Sequence, residues 1–315
     1  MNIAKLTAFF DARRSRGEPL VLATLIDTEG STYSKTGDFL LIDANGVVCG
    51  MLSGGCLETD LAIRAQAVAD TGVAQVVTYE LGGDDEELWG LGTGCGGTMR
   101  IHLQSVSASG DYEPLASIAA AIDAGRAGSM MIDHESIEAP VTVVVAPPPT
   151  VLIVGLGADV EPLVRILDEV GFRCDLVDHR PALVDPNRFP QRCAVHHLSM
   201  DALGDSLDLH RFDAAVVMTH QLASDRACLR QLADADIAHI GLLGPAARRR
   251  RLLEEIGAEL AAKLADRLEG PAGIRLAGRG AEAIALSIAA WLQQQYGDPR
   301  SRQPSAQPVR PTRRC

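Results

Sequence analysis

The sequence predicts an α/β protein of two domains, and three observations carry that prediction. Short apolar runs alternate with segments whose apolar residues recur about every 3.6 positions, the spacing of helices. Three consecutive prolines, Pro147-Pro148-Pro149, stiffen the chain near its middle and indicate a domain boundary. The second half begins with an apolar run that enters a glycine turn, Gly155-x-Gly157, as the first strand of a Rossmann-like parallel sheet does.

We therefore expect four segments along the 315 residues. They are an N-terminal α/β domain, a proline-rich linker, a Rossmann-like domain with a parallel sheet and a disordered tail rich in proline and arginine, which cover residues 1–146, 147–150, 151–296 and 297–315. The net charge of -12 argues against a nucleic-acid partner, because phosphate contacts need a basic surface. We expect a cytoplasmic protein without membrane contact, since no apolar run reaches the roughly 18 residues of a membrane helix and the N-terminus lacks a signal-peptide pattern.

In the first half, apolar spacing predicts helices and short apolar runs predict strands. Helices are predicted at 2–16, from Leu57 onward and at 114–124, and strands at 20–27, 39–43, 47–51, 75–79, 98–103, 129–133 and 141–146. The helical spacing starts directly after Gly54-Gly55, so Cys56 is expected at a helix N-terminus. An acidic, glycine-rich stretch, 82–97, is expected to form a mobile loop between two strands.

In the second half, strands and helices alternate, which predicts a parallel sheet with ligands at the carboxyl ends of its strands. Strands are predicted at 151–154, 174–177, 215–218 and 237–242, and helices at 160–170, 226–232, 248–256 and 283–294. Asp178 ends the second of these strands, at the position where a Rossmann fold holds a ribose hydroxyl.

Two glycine-flanked cysteines are the strongest functional signal in the first half. One lies in Ser53-Gly54-Gly55-Cys56-Leu57-Glu58 and the other in Gly94-Cys95-Gly96-Gly97. Glycine lets the backbone approach a ligand closely, and the thiol beside it offers a soft ligand or a nucleophile. The alternative is that both cysteines are small packing residues and that Glu58 only accepts backbone N–H bonds at the helix start.

In the second half, polar residues follow the predicted strands, in Asp178-His179-Arg180 and in Thr219-His220. Two histidines at one sheet edge favour a ligand site, although Asp225 could simply cap the following helix. The turn with Gly155 and Gly157 is a weak nucleotide signal. Two acidic residues at the helix start, Asp159 and Glu161, place negative charge where a pyrophosphate would bind, so dinucleotide binding stays open.

The ordered set of motifs resembles the XdhC/CoxI family, the accessory proteins of xanthine dehydrogenase and related molybdenum hydroxylases. In the first half the resemblance is carried by Gly30-Ser31-Thr32, the motif around Cys56 and the motif around Cys95. In the second half it is carried by the following motifs: Gly155-x-Gly157, Asp178-His179-Arg180, Arg188-Phe189-Pro190, Thr219-His220 with Asp225, Ile240-Gly241-Leu242-Leu243-Gly244 and Glu282-Ala283-Ile284-Ala285-Leu286-Ser287-Ile288. One departure is Tyr33-Ser34, which stands where the family usually has Pro-Arg.

The resemblance implies a molybdenum cofactor chaperone without turnover of its own. Such a protein receives the molybdopterin cofactor, shields it during sulfuration by a cysteine desulfurase and delivers it to an apo-hydroxylase. The implied cofactor contacts are Gly30, Ser31, Ser53, Gly54, Gly55, Cys56, Glu58, Gly94, Cys95, Gly96 and Gly97, with Cys56 and Cys95 as candidates to approach the molybdenum. A second ligand site would comprise Gly155, Gly157, Asp178, His179, Arg180, His220 and Asp225.

Two other functional classes stay open on the sequence alone. The first is an NAD(P)-dependent dehydrogenase, in which His220 would be the acid/base group. The second is a regulator that binds a nucleotide without catalysis. A homodimer is also left open.

Overall fold

The computed structural model describes residues 1–81 and 96–296. The chain forms two compact units, the first of which is Met1–Pro147 and the second of which begins at Pro148. Both units combine helices with a β-sheet, and the sheet of the second unit is parallel. The predicted α/β class with a C-terminal Rossmann-like sheet is therefore confirmed.

The first unit is built on an antiparallel sheet of five strands in the order β3-β2-β1-β5-β4. These strands are β1 (Leu20–Gly30), β2 (Phe39–Asp43), β3 (Val48–Cys49), β4 (Gln75–Leu81) and β5 (Gly97–Val106), and a separate hairpin comprises β6 (Gly128–Ile132) and β7 (Val141–Val145). The helices are α1 (Ile3–Arg14), α2 (Glu58–Thr71) and α3 (Leu115–Asp123).

The central position of β1 in the sheet explains why the sequence of this strand is a nearly continuous apolar run. Alternate residues such as Val21 and Leu25 pack on the same side as Leu61 of α2. The others, including Leu22, pack with α1, α3 and the β6–β7 hairpin, around Phe10. A strand that is buried on both faces needs apolar side chains at nearly every position.

The second unit is a parallel sheet of six strands in the order β10-β9-β8-β11-β12-β13. The strands are β8 (Thr150–Val154), β9 (Arg173–Asp178), β10 (Ala194–His197), β11 (Ala214–Val217), β12 (His239–Leu242) and β13 (Leu268–Glu269). The helices are α4 (Val160–Val170), α5 (Leu203–Ser206), α6 (Leu222–Leu232), α7 (Ala246–Ile256), α8 (Ala258–Leu264) and α9 (Ala281–Tyr296).

The strand order of this sheet reverses between β8 and β11, and such a reversal opens a crevice at the carboxyl ends of the strands. One face of the sheet packs against α6, α7 and α8, and the other against α4 and α9, with Trp291 fully buried in the second core. Within the described residues, no helix is long and apolar enough to cross a membrane.

Candidate functional site

The loop that precedes α2 is closed by hydrogen bonds from its own residues. Glu58 Oε1 accepts the backbone N–H groups of Leu52 and Ser53 at 2.8 and 2.9 Å, and its Oε2 accepts the Ser53 hydroxyl at 2.6 Å. Ser53 Oγ in turn accepts the Leu57 N–H at 2.7 Å. Glu58 thus binds back to the start of the loop, and this fixes the loop conformation.

The Glu58 carboxylate is stabilised in its charged form. Burial raises the pKa of Glu58, but the hydrogen bonds from the Ser53 hydroxyl and from the N–H groups of Ser53 and Leu52 outweigh burial and hold the pKa below its usual value. The expectation that Glu58 accepts backbone N–H bonds is therefore met. Its partners lie mainly in the loop, however, which the sequence did not indicate.

Between Ser53 and α2, the backbone is exposed and carries little side-chain material. Gly54 and Gly55 have φ angles of +79° and +111°, a region that favours glycine, and both residues are exposed. Among the described residues, no acceptor lies at the N–H groups of Gly54, Gly55 and Cys56. Cys56 is half-buried and precedes Leu57, the residue that flanks the start of the helix. The loop therefore presents consecutive N–H groups and one thiol at a helix N-terminus.

The motif Gly30-Ser31 lies against Gly96-Gly97, as strand pairing requires. Gly30 pairs with Gly97 across β1 and β5. A Cβ at Gly97 would lie 2.6 Å from the Glu29 carbonyl oxygen and 2.7 Å from that of Ser31. Close backbone approach therefore accounts for glycine at this position, and the ligand role of these residues stays a prediction.

The segment after Ser31 connects this glycine pair to the loop before α2. The Tyr33 ring lies 3.8 Å from the position of a Cβ on Gly54, and the Ser34 hydroxyl donates to the Met51 carbonyl oxygen at 3.5 Å. The structure thus brings together Gly30-Ser31-Thr32, the motif around Cys56 and the Gly96-Gly97 end of the motif around Cys95. Gly94, Cys95 and the acidic stretch 82–87 lie outside the described residues.

In the second unit, Asp178 is bound to groups of its own chain. It is fully buried, and it accepts the Leu156 N–H at 2.7 Å and the Arg180 guanidinium at 2.9 and 2.7 Å. Burial raises the pKa of Asp178, but the bonds from Arg180 and Leu156 outweigh it and lower the pKa. A ribose hydroxyl needs an accessible carboxylate, so this geometry disfavours the ribose contact expected for Asp178.

The turn between Gly155 and Gly157 supports an Asp–His contact. His220 has a φ of +62°, which is uncommon for a residue other than glycine, and its Nε2 lies 3.0 Å from Asp159 Oδ2. A Cβ at Gly157 would lie 2.8 Å from Asp159 Oδ1, so a side chain at this position would displace the Asp159 carboxylate. The other carboxylate at the helix start, Glu161, binds Arg188 at 2.8 Å. Its charge is therefore balanced within the chain.

Asp225 does not cap α6, which corrects one interpretation of the sequence. The residue before that helix, Gln221, makes no side-chain capping bond, whereas Asp225 accepts the Thr219 hydroxyl and two bonds from Arg248 at 2.9 and 2.6 Å. Asp225 is almost completely buried, and a buried carboxylate needs a cation as its partner. No local pattern indicated this pairing, because Arg248 lies on a different helix.

A depression lies at the carboxyl ends of β9 and β10. It has a volume of about 300 Å³, and its wall includes His179 together with Arg226 and Arg230 of α6. A ligand site at this sheet edge with His179 was predicted from the sequence, whereas the two arginines of its wall were not. The spacing of the two arginines, four residues apart on one helix, was the available signal. Among the described residues, no group of three or more histidine, cysteine, aspartate or glutamate side chains could hold a metal ion.

Comparisons with known proteins agree with both units. The model of the XdhC and CoxI family matches residues 13–80, and that of the XdhC Rossmann domain matches residues 151–292. The chain is 27% identical over 319 residues to a Bacillus subtilis protein described as a probable subunit of xanthine dehydrogenase, covering 89% of this chain and 94% of the relative. It is also similar to a crystal structure described as a xanthine dehydrogenase from Bacillus halodurans. That similarity has a TM-score of 0.79 and 30% identity, and it covers 96% of this chain and 98% of the other.

Proposed function

The chain belongs to the XdhC and CoxI family, and on that premise we propose that it is a molybdenum cofactor chaperone for a xanthine dehydrogenase-type hydroxylase. In this role it binds the molybdopterin cofactor, protects it during sulfuration by a cysteine desulfurase and inserts it into the apo-enzyme. It carries out no turnover of its own. The names of the relatives support an association with xanthine dehydrogenase.

The loop before α2 is the observation that carries the proposal. The cofactor is a cargo with a phosphate at one end and a metal bound by sulfur at the other. The N–H groups of Gly54, Gly55 and Cys56, which have no acceptor among the described residues, suit the phosphate, since backbone N–H groups at a helix N-terminus bind anions. The Cys56 thiol, which a soft metal centre prefers over oxygen ligands, suits the other end. The loop would thus hold the cofactor, with the N–H groups of Gly54, Gly55 and Cys56 binding its phosphate or the Cys56 thiol binding its metal end.

The Glu58 network makes this loop suitable for a bulky cargo. A loop that is already held by Glu58 and Ser53 loses little conformational entropy when a ligand binds, and this preorganisation favours affinity. Gly54 and Gly55 place no side chain between the backbone and the ligand. The exposed Tyr33 ring borders the same surface.

Cofactor retention tests the proposal. The chain is purified from a host supplied with molybdate, and bound molybdenum and pterin are measured by mass spectrometry and by fluorescence after oxidation. Cys56→Ala should weaken retention by roughly 5- to 150-fold, which corresponds to about 1 to 3 kcal/mol for a lost contact in a desolvated site. Cys95→Ala should have a similar effect. The loaded wild-type chain should activate an apo-hydroxylase better than the same amount of free cofactor.

Cys49→Ala is the matched control, because this thiol is also half-buried but lies on β3, where it contacts the Lys5 carbonyl oxygen at 3.8 Å. Its cofactor content should equal that of the wild type. Unchanged retention in both Cys56→Ala and Cys95→Ala would overturn the assignment of the cofactor to these loops.

A further inference from the structure

The depression at the ends of β9 and β10 has the position and size of a ligand site. Parallel α/β sheets bind their ligands outside the carboxyl ends of the strands, and His179 directly follows β9. Ser199 follows β10, and α6 also lines the depression, with Ser224 near the start of the helix. The volume of about 300 Å³ lies at the lower end of the range that is usual for small-molecule sites. The depression therefore suits a compact ligand.

The charge of the wall favours an anion. Arg226 and Arg230 both line the depression, and within the described part of the chain Arg230 has no carboxylate partner, whereas Arg226 also binds Glu255 at 2.9 Å. Asp201 is the acidic residue on the wall. The chain as a whole carries a net charge of -12, yet two guanidinium groups line this one depression. Guanidinium groups bind phosphate oxygens through paired hydrogen bonds, so a phosphate is the anion that fits them best.

The side chains around the glycine turn disfavour the usual dinucleotide arrangement. In that arrangement the pyrophosphate contacts N–H groups of the turn, and a carboxylate at the end of the second strand holds the ribose. Here Asp178 is fully buried and occupies the Leu156 N–H itself. The turn also carries Asp159, whose Oδ1 is buried and has no hydrogen-bond partner among the described residues. A second phosphate at this turn would meet negative charge, whereas the depression beside α6 offers the guanidinium group of Arg230.

We propose that the depression binds a phosphate monoester of mononucleotide size, with the phosphate held by Arg226 and Arg230. Ser199 and Ser224 also line the depression and supply hydroxyl groups, and the half-buried His179 ring offers a planar surface for the sugar or the base. The residues of this site belong to the second unit, and those of the proposed cofactor loop belong to the first. The second unit is therefore a binding module for a mononucleotide and does not bind NAD in the usual Rossmann manner.

Calorimetric titration of the full chain tests the proposal. The probes are the nucleoside monophosphates AMP, CMP, GMP and UMP, the corresponding nucleosides, ribose 5-phosphate, inorganic phosphate and NAD. At least one nucleoside monophosphate should bind, its nucleoside should bind at least roughly tenfold more weakly, and NAD should bind more weakly than the mononucleotide. Ribose 5-phosphate should bind more weakly than that nucleoside monophosphate, and equal affinity for the two would overturn the assignment of a mononucleotide.

Substitutions on α6 locate the binding. Arg230→Ala and Arg226→Ala should each weaken binding by roughly tenfold or more, because a charge-assisted hydrogen bond is lost. Arg165→Ala is the matched control, since Arg165 is an exposed arginine of α4 outside the depression. Circular dichroism confirms that each variant is folded. The proposal is overturned if no monophosphate binds at millimolar concentration, if nucleosides bind as well as their monophosphates, or if both α6 variants keep the wild-type affinity.

Discussion

Glu58, the first residue of α2, determines the conformation of a loop that contains almost no side chains of its own. Three donors of the loop, the N–H groups of Leu52 and Ser53 and the Ser53 hydroxyl, converge on its carboxylate. The pKa of Glu58 is lowered in the folded chain, so the charged form is bound more tightly than the protonated form. The stability that Glu58 supplies is therefore present at neutral pH and is lost as the pH falls through the folded-state pKa.

Glu58→Ala should lower the free energy of unfolding at pH 7 by about 1 to 3 kcal/mol, since it leaves donors without an acceptor. The difference from wild type should shrink as the pH falls through the lowered folded-state pKa of Glu58, where the wild-type carboxylate becomes protonated. Urea denaturation at pH 7 and at a series of acidic pH values measures both effects. Glu58→Gln keeps an oxygen acceptor and should lose less stability. A pH-independent difference between Glu58→Ala and wild type would contradict the role assigned to the charge.

Local sequence patterns predicted where single residues lie along the elements better than they predicted which residues bind each other. The positions of Cys56 before a helix and of His220 after a strand followed from local apolar patterns. The bond of Asp225 to Arg248 and the bond of Asp178 to the Leu156 N–H did not. Asp225 binds Arg248 across two helices, and Asp178 turns back to the N–H of Leu156. Such contacts depend on how elements pack, and no short-range pattern records that.

Among the elements, the pair β1 and β5 shows how glycines can be required by packing. Gly97 lies opposite Gly30, and the backbone of residues 29–31 approaches it so closely that no Cβ fits. For Gly96, the next residue toward the N-terminus, no atom of the described residues beyond its chain neighbours lies within 4 Å of an added Cβ. Adjacent glycines of one motif therefore have different structural requirements.

Gly97→Ala should destabilise the first unit by about 1 to 3 kcal/mol, because the new methyl group would force the ends of β1 and β5 apart. Gly96→Ala should change stability by less than about 0.5 kcal/mol, since no described atom lies within 4 Å of its added Cβ. Thermal and urea denaturation of both variants check this contrast. Equal stability of the two variants would show that the strand ends adjust without cost. A loss of cofactor binding in the stable Gly96→Ala variant would instead point to a ligand contact.

The elements themselves were largely predictable where they are long and periodic. Helix α4 has the predicted bounds, and β2 and β5 lie where apolar runs between glycines placed them. The short strands β10 and β13 were missed, since two to four residues carry too little pattern to distinguish a strand from a loop.

In the molecule as a whole, each unit contains its own hydrophobic cores. In the first unit they lie on the two faces of the antiparallel sheet, and in the second on the two faces of the parallel sheet. The boundary between the two units along the sequence lies within the proline run. Consecutive prolines can continue neither a helix nor a central strand. The ligand of each unit could not be derived from its composition or its fold, since one fold serves many functions.

If each unit folds on its own core, the two proposed ligand sites should be separable. Residues 1–147, produced without the rest of the chain, should retain molybdenum cofactor with nearly the affinity of the whole chain, because the loop before α2 and its Glu58 network lie entirely within them. Residues 148–296 should bind the mononucleotide with Arg226 and Arg230 and carry no cofactor. Circular dichroism and urea denaturation establish that each fragment unfolds cooperatively, and metal analysis and calorimetry measure the ligands. A cooperatively folded fragment 1–147 that loses the cofactor, when the whole chain retains it, would show that the second unit supplies part of the cofactor site.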